Sequence, residues 1–560
     1  MMIDLRHDGY SLEMLEDGTY MATVEAEYGC SVHIEIPEEY NGIPITEIQV
    51  YGYPSKPLRT ICVSKLVRLF KNSEMLFYDD LPFFVEVSPE NPWLCADDKA
   101  VFSKDKKILY AFTARGDETY TIPSGVRVIY ENAFYEISYL KLVNFPEELE
   151  EIGDRAFYGC ELKELTLPNN IKKIGSGAFA HGFTKLDTLV LPRHIEEMAP
   201  DSFYSKACRS PVYLPDCYNK PEFCIPNYFL SPEYIIDENS KSFTVIDGVI
   251  YSKDMKALLT ITQKAPSVIS VHEGVEVIAC YASEVNDTIR EVKLPKSTHT
   301  ILNNAFSYSF LEKINLENVK IIEKQAFYSC DFLTETGKLG AEKIGDECFC
   351  ACGSLDNVYL TGDKEIGKNA FHKIKKGAHV FLEEGLVTIN NSFSNNCTVM
   401  IISPDTSEIK YAVKVFDAEN DAGIKDTEEY INRLLNWDRE YCLRKYDEFF
   451  GSLRSVTLYK YEMAYYRIKY PADLSDEMRK TYLSYLEENS GFAVQSILNK
   501  QYPQAEEIAD FPYLYSVGEK DLERFIEQSV KKGLNEITAF LVPYKFSRFP
   551  HSDNKPGGKL

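Results

Sequence analysis

The side chains best suited to chemistry are Cys348, Cys350 and Cys352, which are separated by single residues, with Cys330 upstream. Thiolates are strong zinc ligands, but a zinc site normally pairs its ligands at Cys-x-x-Cys spacing and adds a second pair to complete four. The group does not follow that spacing. A buried cysteine also behaves as a small hydrophobic residue. We therefore predict structural cysteines and no metal site.

The other reactive side chains lack the spacing of a catalytic or cofactor site. The nine histidines are dispersed, and none stands in a His-Glu-x-x-His arrangement. Gly175 and Gly177 form a Gly-x-Gly triplet without the lysine of a phosphate-binding loop, and the acidic pair at Glu383 is typical of a solvated face. The sequence predicts no catalytic residue and no cofactor, and it indicates a protein that is not an enzyme.

The cysteines belong to a repeat that organises most of the chain. In one unit, Leu165-Thr166-Leu167 alternates apolar and polar residues and predicts a short strand, which Pro168 ends. A glycine then permits a turn, and a small residue followed by phenylalanine starts the opposite wall. Because one unit cannot bury its apolar face alone, stacked units should share a core with a ladder of phenylalanines. These phenylalanines, about 22 residues apart within each run, are Phe134, Phe157, Phe179, Phe203, Phe306, Phe327, Phe349, Phe371 and Phe393.

These units resemble the BspA-like leucine-rich repeats of bacterial type, whose pattern LxxLxLPxxVxxIGxxAFxxC is matched over most of its length by residues 162–179. The closing cysteine of the pattern is present as Cys160, Cys330 and Cys352. Residues 243–254 and, less closely, 100–105 look like the β-hairpin insert of the family. The resemblance implies an α/β fold, a leucine-rich-repeat solenoid of about 22–24-residue units with β-hairpin inserts.

Helical periodicity replaces the strand pattern from about residue 417. We expect the solenoid over residues 1–415, with an N-terminal cap to about residue 60 and an irregular stretch at about 204–242. An all-α helical domain should follow over 416–550, and the polar tail 551–560 should be disordered. Residues 531–541 are similar to the second helix of an ankyrin repeat, which leaves ankyrin-like pairing open. Helices are predicted from about 426 to 441 and over 456–468, 476–488, 520–531 and 535–542, with Pro471, Pro503, Pro512 and Pro543 where helices should end.

The composition indicates which classes of partner to exclude and which cellular compartment to expect. The 61 basic and 86 acidic residues give a net charge of -25, which repels phosphate backbones and anionic lipid, so we predict no nucleic acid and no membrane insertion. The first residues lack the apolar run of a secretory signal, and the 14 cysteines are scattered. Both features predict a cytoplasmic protein. Relatives in the resembled family are often surface-exposed, so an extracellular or cell-surface location is the alternative.

The outward side chains of stacked solenoid strands usually form the binding surface. We predict a protein or peptide ligand on this face, and hence a protein–protein interaction scaffold or adaptor. The alternative is a cell-surface or secreted adhesin that binds host or matrix proteins. A face that is only soluble is the competing interpretation. The predicted contact residues are Glu164, Thr166, Thr188, Val190, Glu291, Lys293, Lys313, Asn315, Asn357 and Tyr359.

Overall fold

The computed structural model divides into two compact units. The first unit is Met1–Glu312 with Ala326–Cys330, and the second unit is Lys313–Gln325 with Asp331–Leu560. The structure describes residues 2–5, 10–25, 33–51, 60–72, 84–113, 118–181, 189–199, 201–203, 212–218, 221, 234–237, 239–362, 364–375, 378–383, 387–389, 392–393, 397–403, 409–414, 439–453, 458–499 and 517–549.

The first unit is a β-solenoid whose short strands stack turn upon turn. Strands β3, β6 and β8 form one parallel ladder, strands β4, β7 and β9 form another, and the antiparallel strands β1 and β2 close the first of them. The strands in chain order are β1 Met2–Leu5, β2 Tyr10–Met14, β3 Tyr20–Glu25, β4 His33–Glu35, β5 Glu39–Tyr40, β6 Ile43–Tyr51, β7 Thr60–Val63, β8 Leu69–Asn72, β9 Phe84–Val87, β10 Leu94–Ala96, β11 Ala100–Ser103, β12 Ile108–Phe112, β13 Thr119–Thr121, β14 Val128–Ile129, β15 Leu142–Asn144, β16 Glu151–Ile152, β17 Lys173–Ile174, β18 Leu189–Val190, β19 Glu197–Met198, β20 Val212–Tyr213, β21 Tyr234–Ile235, β22 Phe243–Ile246, β23 Val249–Ser252, β24 Ala257–Ile261, β25 Val268–Ser270, β26 Val277–Ile278, β27 Glu291–Lys293 and β28 Thr300–Ile301.

Two rows of parallel strands run along this unit. The leucine row contains strands of the Leu-x-Leu type, in the sets β13–β15, β18–β20–β21 and β25–β27. The isoleucine row contains two-residue strands that mostly end in isoleucine, in the sets β14–β16–β17–β19 and β26–β28. The segment 204–242, predicted to be irregular, contributes β20 and β21 to the leucine row and a 3-10 turn at Asp216–Tyr218.

The predicted phenylalanine ladder is confirmed among the described residues. Phe157 is fully buried and stacks on Phe134 at 4.6 Å and on Phe179 at 5.2 Å between ring centroids. The stack continues to Phe203 at 5.2 Å. Each ring therefore packs between its counterparts in the neighbouring turns, which makes the core continuous along the repeat.

The Ala-Phe pairs lie in turns, whereas we predicted that each pair starts the opposite wall of its repeat unit. Two left-handed residues flank each pair, as Arg155 (φ 51°) and Gly159 (φ 71°) flank Phe157. The Phe157 amide donates to the carbonyl of Ala178 at 2.6 Å, so the turns bond to each other as strands do. At Gly175 a Cβ would lie 2.6 Å from the Asp154 amide nitrogen of the preceding turn. The stacking of turns thus requires glycine.

Two hairpin inserts have the same construction, as predicted. Strands β10–β11–β12 and β22–β23–β24 are antiparallel sets that lead into parallel pairing with β14 and β26. In both, a serine hydroxyl donates to an aspartate two residues on, Ser103 to Asp105 at 2.7 Å and Ser252 to Asp254 at 2.6 Å. These bonds fix the same tight turn in each insert.

The second unit has two rows of parallel strands of its own, and it also contains helices. Its leucine row is β31–β33–β35–β37, closed by the antiparallel strand β38. The Phe349, Phe371 and Phe393 rings stack at 5.3 and 5.4 Å. The strands are β29 Lys313–Ile314, β30 Ile321–Ile322, β31 Lys338–Leu339, β32 Lys343–Ile344, β33 Asn357–Leu360, β34 Lys364–Ile366, β35 His379–Glu383, β36 Val387–Ile389, β37 Thr398–Ile402 and β38 Ile409–Lys414, and the helices are Arg439–Ser452, Leu458–Lys469, Asp476–Leu498, Glu519–Lys531 and Asn535–Arg548.

Three predicted helix ends were wrong. The helix predicted to end at 441 continues to Ser452. The helix predicted to end at 488 runs on to Leu498, because Ala493, Val494 and Leu498 lie at helical spacing and are buried on one face. The last helix passes through Pro543 to Arg548, since burial of Leu541 and Lys545 on one face offsets the missing amide of the proline. The start of the helix predicted from about 426 and the tail 551–560 lie outside the described residues.

Candidate binding face

Outward side chains of the leucine row form one column in the first unit. Pairing joins Thr121 to Asn144, Thr166 to Val190, and Val190 to Tyr213 and on to Ile235. Paired residues of a parallel ladder lie on the same face of the sheet, so these side chains share one surface. We call this set the neutral column; its members are Thr121, Asn144, Thr166, Val190, Tyr213 and Ile235.

The neutral column carries no formal charge, and its members are exposed except Tyr213, which is half-buried. Val190 is 47% exposed and Ile235 is 41% exposed. The intervening residues, such as Leu165 and Leu189, are buried in the core, so alternation sets the direction of each side chain. Asn144 Nδ2 donates to Thr121 Oγ1 at 3.0 Å, which fixes the orientation of the amide.

The first unit contains six of the predicted contact residues. Thr166 and Val190 lie in the neutral column, and Glu164 is exposed beside it, bridged to Leu142. Glu291 and Lys293 lie on β27, where their side chains pair with each other at 3.4 Å. Thr188 lies outside the described residues.

The second unit contains the other four predicted residues. Lys313 Nζ pairs with Glu335 Oε1 at 2.6 Å, and Asn315 is half-buried. Asn357 is exposed on β33, where Tyr359 is 37% exposed.

Sequence reasoning missed the neighbour of Tyr359. Its ring stacks on Phe381 of β35 with centroids 4.4 Å apart. The sequence holds a signal for this neighbour, because residues 379–382 repeat the alternation of residues 357–360. The segment is hard to recognise as a repeat strand because no proline follows it. The stacked pair gives this end of the row an aromatic surface.

The isoleucine row is chemically different, because its charges neutralise one another. Glu150 pairs with Arg127 at 3.3 Å and with Lys172 at 2.9 Å. Lys173 lies between Glu151 at 3.4 Å and Glu197 at 3.8 Å. The hydrogen bond from Lys172 lowers the pKa of the Glu150 carboxyl. Alternating charges at one repeat position thus hold neighbouring turns together.

The repeat cysteines make structural contacts. Cys160 Sγ donates to the Phe134 carbonyl at 2.8 Å, and Cys330 Sγ donates to the Phe306 carbonyl at 3.0 Å. Burial raises the pKa of the Cys160 thiol to about 12, far from a reactive thiolate. Across the described part of the chain, no three His, Cys, Asp or Glu side chains are grouped to hold a metal ion.

The helical part contains a buried ion pair. Arg467 and Asp447 form a bidentate contact with N–O distances of 2.7 and 2.9 Å, and the Tyr482 hydroxyl donates to Asp447 at 2.8 Å. Arg467 is completely buried and also donates to the Ala472 carbonyl. These bonds satisfy the cluster internally and fix how three helical segments pack.

Among the described helices, none is both long and apolar enough to cross a membrane.

Comparison with known proteins agrees with the repeat geometry. The sequence model for the BspA type leucine rich repeat region matches residues 109–219, 263–371 and 319–418, with six copies. This match confirms the resemblance of residues 162–179. No curated protein matches the sequence.

Three solved structures are similar at low identity. A leucine-rich repeat protein from Eubacterium ventriosum is 15% identical with a TM-score of 0.35, covering 67% of this chain and 84% of that chain. The pneumococcal vaccine antigen PcpA is 17% identical with a TM-score of 0.35, covering 72% of this chain and 94% of its own. A leucine rich cell surface protein from Faecalibacterium prausnitzii is 17% identical with a TM-score of 0.31, covering 66% and 93% respectively.

Proposed function

Because this chain carries BspA-type leucine-rich repeats, we propose that it is a non-enzymatic protein–protein interaction scaffold or adaptor that holds a protein or peptide on its leucine row. The observation that carries the proposal is the neutral column, which is an uncharged exposed surface on a protein of net charge -25.

Physical chemistry favours this column over the isoleucine row as a contact surface. Burying a charge under a partner is costly unless the partner supplies a matched group, whereas Thr, Asn and Val lose little on desolvation when their hydrogen bonds are kept. The cores of protein interfaces are depleted of charge and enriched in tyrosine. Val190, Tyr213 and Ile235 supply an apolar half of the column, and Thr121, Asn144 and Thr166 supply a hydrogen-bonding half.

An affinity capture from lysate of the source cell, analysed by mass spectrometry, tests the proposal. The intact chain is compared with a variant carrying Thr166→Lys and Val190→Lys. A matched control carries Val128→Lys and Ile321→Lys on the isoleucine row, where both residues point outward. All three chains are first shown to melt at similar temperatures.

We expect the intact chain and the control to retain the same protein. The Thr166/Val190 variant should retain at least tenfold less of it. Equal retention by all three would place the contact elsewhere. Retention of nothing by the intact chain would contradict the adaptor role and favour the adhesin, whose ligand is outside the cell.

The compartment is tested separately. An epitope-tagged chain in the source cell is followed by fractionation and by protease treatment of intact cells. Recovery in the cytosol and protection from protease support the adaptor. Cleavage at the cell surface supports the adhesin, and the neutral column would then serve a host or matrix protein.

A further inference from the structure

In the second unit, outward side chains of the leucine row are exposed on β33 and covered on β37. Two columns of paired residues show this difference. One column pairs Asn357, His379 and Thr398 across β33, β35 and β37. The other pairs Tyr359 and Phe381 with Met400. Asn357 and Tyr359 are exposed, whereas Thr398 is fully buried and Met400 is 5% exposed. The same outward positions are therefore open on β33 and covered on β37.

A helix of the chain itself provides the cover. Helix Leu458–Lys469 packs on β38, the strand paired with β37. Its Tyr466 hydroxyl lies 2.9 Å from His379 Nε2, and the two rings meet edge to face at 6.3 Å. Burial at this contact raises the pKa of the Tyr466 hydroxyl. The outer face of the row is thus already used as a platform for a helix that presents tyrosine.

Strand and helix spacings define where a second helix would fit. Neighbouring strands lie about 4.8 Å apart. Packed helices lie about 8–10 Å apart between axes, which corresponds to two strands. Helix Leu458–Lys469 packs on β38 and its Tyr466 reaches His379 of β35, so for a second helix that runs along the strands the next position is centred on β33. That position is where the Tyr359–Phe381 stack is exposed.

We propose that this position is the docking site for a partner's amphipathic helix, which lies beside Leu458–Lys469 and places an aromatic side chain on the Tyr359–Phe381 stack. The partner is defined by chemistry. Asn357 offers an amide to a hydroxyl or backbone group, and Lys338, exposed and paired with Tyr359 across β31 and β33, selects a helix with an acidic residue at that end. The inference rests on the proposed scaffold function and names the class of partner for the C-terminal end of the row.

The test uses the full chain and a defined probe. The probe is a fluorescent, hydrocarbon-stapled peptide with the sequence of residues 458–469 and the changes Lys460→Glu and Lys469→Glu. It keeps the tyrosines of the chain's own helix and gains the acidic residues that Lys338 selects, and binding is followed by fluorescence anisotropy. We expect saturable binding of one peptide per chain. Tyr359→Ala should weaken it at least tenfold, and Tyr359→Phe, which keeps the stacked ring, should restore it to within about threefold.

Two controls separate this site from others. The Thr166→Lys, Val190→Lys chain should bind the peptide as the intact chain does, because those residues are not part of the ladder β31–β33–β35–β37. Tyr466→Phe should also leave the affinity unchanged. Tighter binding by that variant would mean that the peptide displaces the resident helix, which would overturn the docking site, as would an affinity unaffected by Tyr359→Ala or the absence of binding.

Failure here is distinguishable from failure of the scaffold. If the peptide does not bind while the lysate protein is still lost from the Thr166/Val190 variant, only the helix-docking site is rejected.

Discussion

At the scale of single residues, Lys364 is an ammonium group held inside the second unit. It is 5% exposed, and its Nζ donates to the carbonyls of Leu339 at 3.0 Å and Ala341 at 2.9 Å. Burial lowers the pKa of Lys364 from 10.5 to about 8, and the charge of Glu383 opposes this shift. The Leu339 carbonyl also accepts from the Thr361 amide at 3.2 Å, and both carbonyls solvate the ammonium, which explains how a cation is held at an inward position.

This pKa makes stability depend on pH in one direction. Between pH 8 and 10.5 the unfolded chain holds the Lys364 proton more often than the folded chain does, so the free energy of unfolding rises with pH. We expect the intact protein to gain about 2 kcal/mol relative to Lys364→Met across this window, after discounting for solvent near the ammonium. Urea unfolding at several pH values measures the difference. Parallel pH profiles would contradict it, and the exposed Lys343→Met is the control.

The buried pair of Arg467 and Asp447 gives a second expectation at this scale. Asp447→Ala should cost about 3–5 kcal/mol, because it leaves the fully buried guanidinium without its counter-ion and the Tyr482 hydroxyl without an acceptor. Glu448 follows Asp447 in the chain and forms an exposed ion pair with Lys445. Glu448→Ala removes that pair and should cost about 0.5 kcal/mol or less. Loss of helical circular dichroism on heating measures both variants. Equal melting temperatures would show that the buried pair adds nothing to stability.

At the scale of elements, the repeat turn is stabilised by the neighbouring turns more than by its own residues. Phe157 contacts rings above and below it, and its backbone amide bonds to the next turn. A truncated ring therefore leaves a cavity shared by three turns, which relaxes poorly.

We expect Phe157→Ala to destabilise the protein by about 3–5 kcal/mol and Phe157→Leu by distinctly less. Phe84, which is 47% exposed, is the matched control, and Phe84→Ala should cost about 1 kcal/mol or less. Chemical denaturation followed by tyrosine fluorescence ranks the three variants. A Phe157→Ala chain as stable as Phe84→Ala would show that the ladder is not a stabilising element.

The sequence predicts the structure well where the residues of a single repeat unit determine it. Alternation in Leu165-Thr166-Leu167 predicts which side chains point inward, and the structure agrees. The left-handed residues around Phe157 could not be predicted in this way, because Arg155 and Gly159 donate their amides to Ser176 and Ala180 of the next turn, and one unit alone does not reveal that pairing. Continuation of the last helix past Pro543 depends on burial of Leu541 and Lys545 in the helical part.

The candidate site was predictable to a similar extent. Spacing placed Thr166 and Val190 on the outward face, but it did not show that Glu291 and Lys293 pair with each other. It also could not show that helix Leu458–Lys469 covers outward positions on β37. That cover is a contact between segments far apart in the chain, for which a repeat pattern holds no information.

At the scale of the whole molecule, helix Leu458–Lys469 lies against the last solenoid strands of the second unit, and we propose that the helical part covers them. Every residue of β37 is buried, including the outward Thr398, Met400 and Ile402. Without the helices, an apolar strand face would meet water beside a sheet edge, and such surfaces associate.

A truncation to residues 1–415 tests this role. We expect it to aggregate, as seen by light scattering, whereas the full chain stays in solution at the same concentration. A second truncation carrying Met400→Lys and Ile402→Lys places charges on the uncovered face and should recover solubility, which separates exposure of this face from general unfolding. A soluble 1–415 chain that melts cooperatively would show that the solenoid closes itself. The helical domain would then be a second module carried by a complete scaffold.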